Sequence, residues 1–200
     1  MPTWRLWLYP DLGVEKKDTF SNIKNSNYVK AYCSLLKNER LNAFLEQNDL
    51  TLLFFPHNQM QPCLKAFTGA NERIKIADTQ NYDVATALKE SAYLITDYSS
   101  IIFDFAYMKK PLVYFHPSQL PAHYDDGGFF YDTMGFGEIC TESDQLVDTL
   151  CEYMENNCQM KPMYIERVND FYHFDDHNNC ERIYKEILEY QKQVDKDKMR

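Results

Sequence analysis

Three short stretches of the chain combine residue types that bind or polarise an anion. Thr96-Asp97-Tyr98-Ser99-Ser100 follows an apolar run and leads into Ile101-Ile102-Phe103-Asp104-Phe105. Ser99 or Ser100 can cap a helix begun there, and the free N–H groups of its first turn would form an anion site worth roughly 0.3–1 kcal/mol. A plain cap is the simpler account of a serine at that place, and only the company of the turn favours phosphate. Phe55-Pro56-His57-Asn58 sets a histidine directly after another apolar run, held by a rigid proline. With an ordinary pKa of about 6.5, His57 could be held protonated by a phosphate or act as an acid or base, although most isolated histidines are structural. Thr3-Trp4-Arg5 offers an arginine able to fork onto a diphosphate, with Trp4 packing against a sheet. Asp104 falls one helical turn beyond Ser99 and Ser100 and could bind a ribose or glycerol hydroxyl; a solvated carboxylate explains it equally well.

These residues need a frame that brings them to one edge. Thr51 to Phe55, Ile74 to Ala77, Tyr93 to Thr96 and Leu112 to Phe115 are short, nearly continuous apolar runs of the kind that form buried parallel strands. Between them Pro62 to Phe67, Asp83 to Ser91 and Ser99 to Tyr107 have room for helices, and the alternation predicts an α/β fold with a doubly wound, Rossmann-like parallel sheet and helices on both faces. In such sheets ligands lie beyond the carboxyl ends of the strands, where His57 and the Thr96–Ser100 stretch fall, and His116 ends a strand at the same cleft. Upstream, Tyr28, Tyr32, Leu35, Leu36, Leu41, Phe44 and Leu45 recur at helical spacing about a polar break, reading as two short helices or one bent one. Leu146 to Met154, Tyr164 to Val168 and Ile183 to Tyr190 mark three later helices. The Pro-, Gly- and aromatic-rich segment 116–137, which holds His123, reads as a long functional or mobile loop. Residues 1–190 form a single domain in this reading, followed by a charged tail, 191–200, expected to fray.

The formal charge of −9 repels nucleic acid and anionic lipid, so any phosphate must be held by local groups. No run approaches the roughly 20 apolar residues of a membrane helix, and Met1-Pro-Thr-Trp-Arg has no secretory leader pattern; the expected compartment is the cytoplasm. The six cysteines include no C-x-x-C pair and read as reduced thiols. His173 and His177 flank Asp175-Asp176, which is read as a hydrogen-bonded cap rather than a metal site. No metal and no cofactor are expected.

Pro2 to Arg5, Pro56-His57, Tyr82-Asp83-Val84, Leu94 to Ser100, Phe103-Asp104, Lys109-Lys110-Pro111, Gly135-Phe136-Gly137, Arg167 and Asp175 through Arg182 together resemble the carboxyl-terminal half of the CDP-glycerol glycerophosphotransferases, the teichoic-acid primases and polymerases. The resemblance runs over nearly the whole chain. It implies one half of a GT-B-type fold that binds a CDP-linked donor, CDP-glycerol or a related CDP-polyol. A hydroxyl of a polyol-phosphate acceptor would attack the donor phosphorus and CMP would leave. Carried over by position, His57 would contact the pyrophosphate and offset charge on the departing CMP. Arg5, Thr96, Ser99 and Ser100 would bind the donor diphosphate or nucleotide, and Asp104 would face a donor hydroxyl. Asn58 and Ala85 depart from the family's usual residues. The family's amino-terminal half, with its other catalytic histidine, has no counterpart here, so no catalytic base is assigned and a partner half is implied. The full-length enzyme would sit at the inner face of the plasma membrane. A GT-B half using another sugar nucleotide and a non-catalytic nucleotide- or phosphate-binding module remain the competing readings. Exposed aromatics at Phe129, Phe130, Tyr131 and Phe136 would favour a homodimer.

Overall fold

A computed structural model describes residues 1–8, 19–124 and 127–198. The segment 9–18, Asp125 and Asp126 of the long loop, and residues 199–200 of the tail lie outside the described residues. The chain divides into two compact units, Met1–Val168 and Asn169–Arg200.

The first unit is built on five short parallel strands: β1 (Leu52–Phe54), β2 (Ile74–Ile76), β3 (Leu94–Thr96), β4 (Leu112–Phe115) and β5 (Gly137–Cys140). They are wound with α1 (Thr19–Lys24), α2 (Asn27–Leu36), α3 (Glu39–Gln47), α4 (Val84–Glu90), α5 (Ile101–Tyr107), the single turn α6 (Tyr131–Met134), α7 (Ser143–Glu155) and α8 (Pro162–Phe171), whose last residues lead into the second unit. The break read at residues 37–40 is a true helix boundary: Asn38 caps α3, its side chain accepting the Leu41 N–H at 2.9 Å.

β4 shows why helices must cover both faces. All four of its residues are buried, and successive side chains point to opposite sides. Val113 and Phe115 join the large core with Tyr28, Tyr32 and Leu36 of α2, Leu41 and Leu45 of α3, and Leu146, Val147 and Leu150 of α7. Leu112 and Tyr114 turn to the other face, where α5 packs with Ile102, Phe105 and Ala106 buried. Burial of such a side chain contributes about 1.5–3 kcal/mol. The helices of both faces therefore contribute to one stack.

The sheet is not continuous. β1 pairs with β2, and β3, β4 and β5 pair in that order, but β1 and β3 share no ladder among the described residues. Where a single doubly wound sheet was expected, an apolar gap separates two parallel pieces. β5 falls where the sequence suggests the end of a loop, because Gly137-Glu-Ile-Cys140 carries few strand-forming side chains. The glycine is required: a Cβ at Gly137 would collide with the Leu112 carbonyl of β4. The loop itself is shorter than 116–137, since the His116 and Ser118 N–H groups extend the ladder to the Cys140 and Thr141 carbonyls. Pro62 to Phe67 is not an α-helix either. Pro62 to Ala66 lies in a 3-10 helix, Asn58–Ala66, that kinks at Cys63 beside Pro62, and Phe67 follows it in an extended conformation.

In the second unit α9 (Asn179–Lys198) continues through the segment expected to fray, with Lys196 and Lys198 in its last turn facing the negative end of the helix dipole. Asp176 accepts both Arg182 guanidinium nitrogens, at 2.9 and 3.0 Å, and the Asn178 N–H at 2.9 Å. Arg182 accordingly holds the Asp176 carboxyl down at about 2.

Candidate functional site

Within the first unit the carboxyl end of β3 and the opening residues of the chain form one buried polar cluster. Asp97 is fully buried (0% exposed) and each of its carboxylate oxygens is doubly bonded. Oδ1 accepts the N–H groups of Thr3 (2.7 Å) and Tyr98 (2.6 Å), and Oδ2 accepts Arg5 Nη2 and the Tyr32 hydroxyl, both at 2.9 Å. Four donors, one of them a full charge, offset the cost of placing a carboxylate among apolar side chains. Arg5 is itself 1% exposed. Its Nη1 donates to the Thr3 carbonyl at 2.8 Å, and its guanidinium lies 5.0 Å from the Tyr98 ring and 5.7 Å from the Tyr28 ring. The sequence suggests an arginine reaching outward to a diphosphate, but the structure turns this side chain inward onto Asp97.

Trp4, between the inward-facing Thr3 and Arg5 contacts, turns the other way and stacks on His57 with ring centroids 6.2 Å apart and planes 28° from parallel. His57 follows β1, half-buried, and begins the 3-10 helix Asn58–Ala66. Its Nδ1 accepts the Gln59 N–H at 3.2 Å. That acceptor role places the proton of the neutral ring on Nε2, leaving Nε2–H as the group able to donate to a ligand. Partial burial lowers the His57 pKa below its ordinary value despite the opposing pull of the Asp97 charge, so the ring is a neutral donor near pH 7.

The other predicted residues divide between the closed cluster and the open edge. Thr96 is buried and its hydroxyl donates to the Met1 carbonyl at 2.6 Å. Ser99 is half-buried and Ser100 exposed. Ser100 occupies the cap position of α5 with helical backbone angles and no side-chain cap bond, so the hydroxyl is not spent on the helix end as a plain cap would require. Asp104, in the first turn of α5, is exposed.

A wall of rings completes this edge. Tyr98 stacks face to face on His116, with centroids 4.1 Å apart and planes 6° from parallel, while His123 lies 5.6 Å from Tyr98 and Tyr131 5.0 Å from His116. His116 Nε2 is 3.2 Å from the Asp97 carbonyl, and burial lowers the pKa of both His116 and His123. The Asp97 charge acts on all three histidines, His57, His116 and His123, which marks them as one electrostatic neighbourhood. Arg167 fixes the wall's outer part by donating to the carbonyls of Gly135 (2.7 Å) and Asp132 (2.6 Å). Phe136 does not belong to an exposed patch: it is 1% exposed, and its N–H donates to the Tyr114 hydroxyl at 3.2 Å. Phe130 alone of the four loop aromatics is largely exposed (60%), which removes most of the surface expected to drive dimerisation.

The arrangement is a strand-end edge offering a neutral imidazole donor, two serines and a set of aromatic faces around a fully neutralised buried carboxylate. A model of the CDP-glycerol:poly(glycerophosphate) glycerophosphotransferase family matches residues 1–189. The chain belongs to that family. It is 36% identical over 191 residues to the minor teichoic acid biosynthesis protein GgaB of Bacillus subtilis (strain 168), covering 94% of this chain and 21% of that protein. The teichoic acid ribitol-phosphate polymerase TarL of Staphylococcus aureus (strain NCTC 8325 / PS 47) is 26% identical over 155 residues, 75% of this chain and 26% of TarL. The chain thus spans about a fifth to a quarter of these relatives. As a glycerophosphotransferase-family segment it carries no helix, among the described residues, long and apolar enough to cross a membrane.

Sequence reasoning had no view of Asp97 as a hub, since an aspartate inside Thr-Asp-Tyr-Ser-Ser looks solvent-facing. The signal available was its place directly after a strand, the same signal that marks His57 and His116.

Proposed function

We propose that residues 1–190 act as the donor-binding half of a GT-B-type glycerophosphotransferase that takes CDP-glycerol and passes glycerol phosphate to a polyol-phosphate acceptor. An acceptor hydroxyl oxygen forms the new bond to the donor phosphorus, the bond from that phosphorus to CMP breaks, and the hydroxyl proton passes to a base outside this segment. The observation that carries this reading is the Nε2–H of His57, set free at the sheet's carboxyl edge by the Nδ1 bond to Gln59 and backed by Trp4. A neutral donor there meets a pyrophosphate oxygen and strengthens its bond as CMP takes up charge, which is the positioning and electrostatic work phosphoryl transfer demands. Ser99 and Ser100 supply further hydroxyl donors, and Asp104 meets a donor hydroxyl. Arg5 and Thr96 act from behind, holding Trp4 and the strand end in place. Acting on a growing polymer, the full-length enzyme works peripherally at the inner face of the plasma membrane with its other half supplying the base.

The names of two relatives favour a second donor, CDP-ribitol: TarL and the poly(ribitol-phosphate) polymerase of Bacillus spizizenii (strain ATCC 23059 / NRRL B-14472 / W23), 31% identical over 101 residues. Calorimetric titration with CDP-glycerol, CDP-ribitol, UDP-glucose and inorganic pyrophosphate separates the readings. Tighter binding of a CDP-polyol than of UDP-glucose supports the proposal. Equal binding of all of them, pyrophosphate included, points to a phosphate-binding module and overturns it.

A further inference from the structure

Two histidines follow strands of the sheet, and their hydrogen bonds lock them into opposite tautomers. His57, after β1, accepts at Nδ1 and keeps its proton on Nε2. His116, after β4, has its Nε2 3.2 Å from the Asp97 carbonyl. A carbonyl only accepts, so Nε2 carries the proton there and Nδ1 of the neutral ring keeps its lone pair. Among the described residues none donates to that Nδ1. Burial, reinforced by the Arg5 charge, holds the His116 pKa below its ordinary value against the pull of Asp97, so the lone pair is present near pH 7.

The ring is held in this orientation from both sides. It lies flat on Tyr98, and Tyr131 packs edge-on against it at 85°. Tyr98 is steadied in turn by the Arg5 guanidinium, 5.0 Å from its ring, and Tyr131 by Tyr114 and Phe129 at 4.9 and 4.7 Å. Flipping the imidazole would keep the stack but lose the bond to Asp97. His116 is only half-buried, so a ligand can reach it. A fixed, neutral acceptor at a strand end is the counterpart of the fixed, neutral donor at His57.

The chemistry of Nδ1 decides what it meets. Its lone pair repels a phosphate oxygen, which carries no proton near pH 7, and it needs an O–H or N–H from the ligand. Tyr98, on which the ring lies, immediately precedes Ser99 and Ser100, the hydroxyls given to the diphosphate in the proposed function; the inference rests on that reading. In a CDP-polyol the hydroxyl on the polyol's second carbon is the donor fewest bonds from a phosphorus. The ribose hydroxyls lie one bond further, and the cytosine amino group lies beyond the whole ribose. We infer that His116 reads the polyol of the donor, its Nδ1 accepting a hydrogen bond from a hydroxyl of the glycerol or ribitol unit. The two strand-end imidazoles thus divide the donor between them, His57 giving a hydrogen bond to the diphosphate and His116 taking one from the polyol. Both polyols carry the hydroxyl, so His116 selects a polyol over a bare carbon chain and does not separate glycerol from ribitol.

The test is calorimetric titration with CDP-glycerol and with CDP-propanol, which keeps the nucleotide and the diphosphate ester but has no hydroxyl on the transferred unit. His116→Phe leaves a flat ring for Tyr98 and removes the acceptor. It is expected to weaken CDP-glycerol about fivefold or more and CDP-propanol less than about twofold, as the loss of one hydrogen bond to the polyol requires. Equal weakening of both ligands overturns the inference, because the ring then serves the fold or the ribose, and so does no weakening of either. Imidazole nitrogen NMR of the parent chain needs no variant. Nδ1 of His116 should be unprotonated in the free chain, shift upfield with CDP-glycerol and stay in place with CDP-propanol. A proton on Nδ1 in the free chain, or the same response to both ligands, overturns the inference as well. A parent chain that binds neither ligand overturns the donor-site reading and this inference with it, whereas binding of both with an unmoved Nδ1 overturns this inference alone.

Discussion

Asp97 and His57 stand just past the ends of two strands, β3 and β1, yet they are finished in opposite ways. Around Asp97 both carboxylate oxygens accept two hydrogen bonds each and the counter-charge is buried beside them, and the atoms of Arg5 and Thr3 left unbonded there, Nε and Oγ1, are buried away from water. Around His57 one ring nitrogen is used and the other is left, on a half-buried ring with a single aromatic backing. The first pattern fixes geometry and the second is available to a ligand. A family member that binds a donor at its strand ends needs both, since a donor group is useful only if the segment presenting it cannot shift.

The comparison can be broken first at its closed side. Asp97→Ala leaves the Arg5 guanidinium buried without a counter-charge, and such losses cost about 3–5 kcal/mol; urea unfolding should show a loss of that size or no folded protein. A loss below 1 kcal/mol would mean that the cluster is not what holds the segment.

Proton linkage gives the next largest effect. The Met1 amine titrates at about 6 in the folded chain against an ordinary 8.0. Between those values the unfolded chain binds a proton that the folded chain does not, so stability falls as the pH drops from 8 to 6, by about 2–3 kcal/mol in all. His57, His116 and His123, all lowered by burial, continue the loss with the same sign as the pH falls below their ordinary value. Acetylating the amino terminus should remove the slope between pH 8 and 6 and leave the histidine part.

Tyr32→Phe removes one of the four donors to Asp97 and should cost about 1.5 kcal/mol in the same unfolding assay. The open side should give the smallest change in stability: His57→Ala is expected to stay within about 0.5 kcal/mol of the parent chain.

Strands and helices were legible because their signals are local. The runs at Leu52–Phe54, Ile74–Ile76, Leu94–Thr96 and Leu112–Phe115 needed no partner to be read, and the stretch Asp83 to Ser91, read as room for a helix, holds α4. β5 was not legible, because what makes Gly137–Cys140 a strand is the close approach of Leu112, a residue far away in the chain. The site divides along the same line. His57, Ser99 and Ser100 were read from position after a strand, and the structure places them there, His57 past β1 and the serines between β3 and α5. The inward turn of Arg5 was hidden, since it depends on Asp97 and Tyr32 arriving from distant elements, and so was the Tyr98–His116 stack.

The most direct test of the account is a calorimetric titration of CDP-glycerol into the parent chain and into His57→Ala, each first shown to unfold at the same urea concentration. The account predicts that the parent binds and that His57→Ala, equally stable, binds at least tenfold more weakly, as the loss of a charge-assisted hydrogen bond of about 1.5–3 kcal/mol requires. Equal affinity of the two chains would contradict it, because the open imidazole at the end of β1 would then have no part in holding the donor.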